Sequence, residues 1–129
     1  MTTPINGPVE LLQRLQEGLP HNTLFGRMDA LPKEFKEGWV VSLGDVNKDD
    51  DSSGLCCNSY ERVIYIDYRA QLHRDGWMMR TLESQEELLG FVTQLHPRLR
   101  FQNFDEPQVE GGDSEYVMSR STWVFQYDA

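Results

Sequence analysis

The chain has little of what staples or anchors a protein. Of its 129 residues two are cysteine, Cys56 and Cys57, and they are adjacent. Neighbouring cysteines cannot tie distant parts of a fold together, and a bond between them is strained. A disulfide framework is therefore excluded, and a reducing compartment is expected. Neither a CxxC nor an HxxxH spacing occurs, so no zinc site is expected. No stretch approaches the ~20 apolar residues of a membrane-spanning helix. The first fifteen residues have no basic start followed by an apolar run, so a signal peptide is not expected. These absences together point to a soluble, cytoplasmic protein.

Positive charge is also scarce. Twelve Lys and Arg stand against 21 Asp and Glu, a formal net charge of −9. Free nucleic acid and anionic membranes are poor partners for such a surface as a whole, whereas a basic protein is an easy one. The plainer use of negative charge is solubility. No internal repeat and no glycine-rich phosphate loop occurs, and low complexity is confined to two acidic stretches, 45–51 and 105–115.

What is present is enough for one folded domain over residues 1–129. Hydrophobic residues make up 39% and aromatics 11%, too much for a disordered chain. A first helix is expected from Pro8, well placed at a first helical position, through Leu11, Leu12 and Leu15 towards Gly18 and Leu19. Gly18 is expected to close it in a left-handed conformation. A short helical turn is expected over Pro32–Glu37. Trp39, Val41 and Leu43 alternate as on a strand, and residues 61–72, ERVIYIDYRAQL, alternate more strongly still.

Asp75-Gly76 is a two-residue hairpin signal. Pairing Arg74 with Trp77 puts Ile64, Ile66, Tyr68, Leu72, Trp77 and Met79 on one face of the resulting ribbon. The other face carries Val63, Tyr65, Asp67, Arg69, Gln71, His73, Met78 and Arg80. Ser84 with Glu87 three residues on reads as a capping box. It opens a second helix with Leu88, Phe91, Val92 and Leu95 as its apolar stripe, ended by Pro97. LRFQNF, 99–104, reads as a strand, and 105–115 as an acidic loop. YVMSRSTWVFQYD, 116–128, reads as one long strand or as two pieces broken near Ser119–Ser121. The expected fold class is α+β, a mostly antiparallel sheet of about five strands with two main helices packed on one face.

The stretch GDVNKDDDSSG, 44–54, is the nearest approach to a metal motif. Asp45, Asn47 and Asp49 match the first three ligands of an EF-hand loop. Asp50 stands where that loop needs glycine, Cys56 stands where it needs a bidentate glutamate, and strands flank it where helices belong. The expected structure is a turn-forming acidic loop between two strands. No metal or other cofactor is expected.

HRD at 73–75 shares three letters with a kinase catalytic loop, but Arg80 occupies the position of the required asparagine. Cys56 or Cys57 with His21, His73 or His96 is the only candidate for a nucleophile and base, and no local pattern supports it. No catalytic residue is assigned, and a non-enzymatic role is expected.

Two features point outward. Nine arginines against three lysines is unusual in an acidic chain. Arg62, Arg69, Arg80 and Asp67 are expected to line the outer face of the hairpin with Tyr65 and Met78, residue types favoured at protein interfaces. Cross-strand charge pairing on a solvated face is the plainer account of the same residues. The two acidic stretches are the second feature.

The expected function is a small acidic protein that binds a basic protein partner and inhibits, neutralises or chaperones it, as an immunity protein does. Secretion chaperones and toxin-neutralising proteins share this order of elements, an analogy of fold alone. The expected partner-binding residues are Asp49, Asp50 and Asp51, then Tyr65, Asp67 and Arg69, then Glu110 and Asp113. The alternatives are an enzyme with a Cys/His site and an accessory subunit of a larger assembly.

Overall fold

A computed structural model describes residues 5–19, 22–26, 37–49, 59–71, 76–110 and 116–128. The elements run α1 (Pro8–Gly18), β1 (Asn22–Phe25), β2 (Glu37–Asp49), β3 (Ser59–Gln71), α2 (Trp77–Val92), β4 (Leu99–Phe104), β5 (Gln108–Glu110) and β6 (Tyr116–Asp128). The strands form a single mixed sheet in the order β1-β2-β3-β6-β4, with β5 also paired to β6. The fold is α+β, as the sequence pattern implies. β1 lies parallel to β2, and the other pairings are antiparallel. β1 is absent from the sequence reading because four residues, NTLF, are too few to show a period.

β3 sits at the centre. β2 takes one edge, and β6 takes the other along the whole strand, from Ser59 opposite Asp128 to Gln71 opposite Tyr116. Its alternation holds: Ile64, Ile66, Tyr68 and Ala70 face the core with Trp39 and Val41 of β2 and Val117, Trp123 and Phe125 of β6. Leu11 and Leu15 of α1 and Leu88 and Val92 of α2 join the same cluster, so both helices cover one face of the sheet. Trp39, Trp123, Tyr68 and Phe125 are the largest side chains in it. Truncating such an aromatic to alanine costs about 3–5 kcal/mol.

The expected hairpin at 74–77 does not form. Both edges of β3 are already occupied, so residues 77–80 have no ladder to join. They open α2 instead, eight residues before the expected start. Gly76 still uses its freedom, with φ of 89°, but to turn the chain into a helix. Ser84 is no cap: it lies inside α2, buried, and its hydroxyl donates to the Thr81 carbonyl at 2.6 Å. Leu72, His73 and Asp75 lie outside the described residues, as does the helical turn expected over Pro32–Glu37 apart from Glu37, which begins β2.

Two other expectations are revised, and one pair of alternatives is decided. Gly18 is the last residue of α1 and has no left-handed backbone; Leu19 beyond it is extended and closes the helix by donating its N–H to the Leu15 carbonyl. A Cβ at this position would run into the Phe91 ring of α2, which would have to shift. The stretch 105–115 is not all loop, since Gln108–Glu110 pairs with β6. Of the two forms expected for 116–128, the one long strand is the one that forms, with Ser119 and Ser121 buried in its middle.

β2 also runs further than its apolar residues suggest. After an irregularity between Leu43 and Val46 it continues to Asp49, with Val46 opposite Arg62 and Asp49 opposite Ser59. Asp45 to Asp49 are thus extended backbone. An EF-hand loop must curl so that its ligands converge on one ion. A strand places alternate residues ~6.6 Å apart along a line. Asp50 to Asn58 lie outside the described residues.

Candidate functional site

The period of two that sends Ile64, Ile66 and Tyr68 into the core sends Tyr65, Asp67 and Arg69 to the other face of β3. No described helix covers that face. Directly opposite Asp67 on β6 stands Arg120, and opposite Arg69 stands Met118. The Arg120 guanidinium donates from Nε to Asp67 Oδ1 at 2.9 Å and from Nη2 to Oδ2 at 3.0 Å. This is the bidentate geometry that a planar fork and a carboxylate share. The same guanidinium lies 4.5 Å from the centroid of the Tyr65 ring. Arg69 Nη2 meets the Met118 sulfur at 3.6 Å.

Asp67 is only 2% exposed, while Arg120 keeps about a third of its side-chain surface in solvent. The Asp67 hydrogen bonds hold the Arg120 pKa above its ordinary value, against the opposing effect of burial. Asp105 contributes in the same direction from just beyond β4, where its backbone N–H donates to the Arg120 carbonyl at 2.8 Å. Asn103 Nδ2 donates to the Asp105 carboxylate at 2.9 Å, and Glu106 follows, exposed. The cluster is therefore a locked arginine between an aromatic ring and two carboxylates, at the rim of an acidic corner. Val40 and Val124 are buried on this same face.

Three of the expected binding residues, Tyr65, Asp67 and Arg69, thus share one face. Asp49 ends β2 opposite Ser59, and Glu110 ends β5 opposite Tyr116. Ser59 and Gln71, the latter opposite Tyr116, are the two ends of β3. Twelve residues of extended chain separate them, roughly 40 Å. Asp49 and Glu110 therefore stand at opposite ends of the sheet. Asp50, Asp51 and Asp113 lie outside the described residues.

The expected company of Tyr65 and Asp67 is only partly right. Arg80 and Met78 belong to α2 on the opposite side of the sheet, a direct consequence of the missing hairpin. Arg80 donates from Nε to Glu37 Oε1 at 2.7 Å, and Tyr68 donates its hydroxyl to the same oxygen at 2.6 Å. Arg62 takes the core-side parity and donates from Nη1 to the Gly44 carbonyl at 3.3 Å. Met118 and Arg120 stand in their place. Sequence reasoning missed both because no turn joins β3 to β6, so nothing local announces the register. The alternation of 116–128 was the one available signal.

For the Cys/His alternative, Cys56, Cys57, His21 and His73 lie outside the described residues. His96 is placed structurally: its Nδ1 accepts from the Arg98 N–H at 3.0 Å, and its ring stands edge-on to Phe125. Among the described residues no three His, Cys, Asp or Glu side chains are grouped to hold a metal ion. None of the described helices is long and apolar enough to cross a membrane. Neither a protein-family model nor any curated protein matches this chain.

Proposed function

We propose that the chain is a small acidic cytoplasmic protein that binds a basic protein partner and thereby inhibits, neutralises or chaperones it. The observation that carries this reading is the ordered group formed by Tyr65, Arg69, Met118 and Arg120 around buried Asp67. These are residue types that anchor protein interfaces. Their rotamers are held before any partner arrives, by the bidentate pair and the ring contact, so little conformational entropy remains to be lost on binding. Asp105 and Glu106 at the rim supply acceptors for basic groups, and the net charge of −9 steers such a partner inward. With Asp49 and Glu110 at opposite ends of the sheet, a partner that meets both lies along the strands.

The test is capture of partners from a lysate of the native host, on wild-type protein and on Tyr65→Ala. The expected result is a basic protein, retained at low salt and released near 0.5 M salt, where the screening length falls to about 4 Å. Tyr65→Ala is expected to weaken retention by roughly tenfold. An acidic partner, or one indifferent to both salt and the substitution, would refute the reading.

A further inference from the structure

The first two turns of α2 are amphipathic in the wrong sense for their own fold. Thr81 and Ser84 are buried towards the sheet, while Met78, Met79 and Leu82 are 61%, 62% and 54% exposed. At about 100° per residue these three side chains fall on one outward strip, and Glu86 follows along it. Glu83 and Glu87 flank the strip, and all three glutamates are exposed. Arg80 on the same helix is held by Glu37 and Glu83. The core takes its apolar side chains from later in the helix, at Leu88 and Val92.

We infer that this strip is a docking face for a cationic amphipathic helix of a partner protein. Methionine is flexible and polarisable and suits a surface that must fit a helix side by side. The carboxylates of Glu83, Glu86 and Glu87 fit lysine or arginine on the polar flank of that helix. A second copy of this chain is the wrong occupant, because it would set the same glutamates against one another on two molecules of charge −9. An anionic lipid surface is repelled for the same reason. The inference borrows only the sign of the partner's charge from the proposed function. The surface is a different one, across the sheet from Tyr65 and Arg120.

The test uses the full chain with labelled methionine methyls and a synthetic Leu/Lys helix of about 14 residues, four turns long. Saturable binding is expected to move the Met78 and Met79 resonances and leave Met118, on the far face, in place. Replacing both Met78→Lys and Leu82→Lys is expected to weaken binding by roughly tenfold or more. Glu83→Gln, Glu86→Gln and Glu87→Gln together are expected to weaken it severalfold and remove most of its salt dependence. Met78→Gln with Leu82→Gln serves if circular dichroism shows that the lysine pair unfolds the protein.

The inference is overturned if the peptide moves Met118 or no methyl at all. Equal binding of a Leu/Glu peptide overturns it too, as does movement of Met78 and Met79 with protein concentration alone. If the peptide fails while a basic protein is still captured through Tyr65, this inference falls and the proposed function stands. The reverse result removes the proposed function alone.

Discussion

Asp67 and Arg120 sit directly opposite each other on the two central strands, joined by hydrogen bonds of 2.9 and 3.0 Å, one end of the pair buried and the other in partial contact with water. That asymmetry has a consequence for stability. Arg120→Met strands a buried carboxylate and is expected to cost about 3–5 kcal/mol. Asp67→Asn leaves a guanidinium that water still reaches, and is expected to cost less, about 1–3 kcal/mol. Urea unfolding of the two variants checks the order. Equal costs, or the reverse order, would show that the pair is not held in this geometry.

Tyr68 ties the sheet to α2 through Glu37 and Arg80. Burial first, and then the neighbouring Glu37 carboxylate, push its phenol well above the ordinary tyrosine range. A group whose folded-state pKa is raised contributes its full stability below the unfolded pKa, near 10 for tyrosine. It loses that contribution as pH rises from there towards the folded value. Wild-type stability is therefore expected to fall above about pH 10 more steeply than that of Tyr68→Phe, which has nothing to ionise. Parallel urea midpoints for the two proteins across about pH 8 to 11 would count against the Tyr68 assignment.

Two glycines are expected to respond to alanine with opposite sign. At Gly18 a Cβ meets the Phe91 ring, so Gly18→Ala forces the contact between α1 and α2 apart. The expected loss is about 1–3 kcal/mol, the usual penalty of overpacking. At Gly90, inside α2 and exposed, a Cβ meets nothing within 4 Å. Gly90→Ala is expected to gain about 0.5–1 kcal/mol from helix propensity alone. Thermal melts of the two variants decide the matter, and a stabilised Gly18→Ala would mean that the helices do not meet there.

The faces of β3 were legible in the sequence because alternation is a local property. Ile64, Ile66 and Tyr68 go one way and Tyr65, Asp67 and Arg69 the other, whatever strand lies alongside. The first helix was legible for the same reason, from Leu11, Leu15 and Leu19. The Asp75-Gly76 hairpin failed because a turn signal states only that the chain can turn. Whether residues 77–80 then pair depends on whether β3 has a free edge, and in the fold that edge belongs to β6, which begins 45 residues after β3 ends. Ser84 and Glu87 failed as a cap because the helix had begun two turns earlier.

Residue identity and spacing set the α+β class, the acidity and the Tyr-Asp-Arg line on β3. Tertiary pairing alone chose what stands beside that line. Arg120 faces Asp67 only because β3 and β6 meet in one particular register, and Met78 and Arg80 are carried to the far side of the sheet only because α2 begins at Trp77. The physical reason is range: side-chain alternation is decided within a few residues, whereas a partner strand is selected by burying the whole core at once.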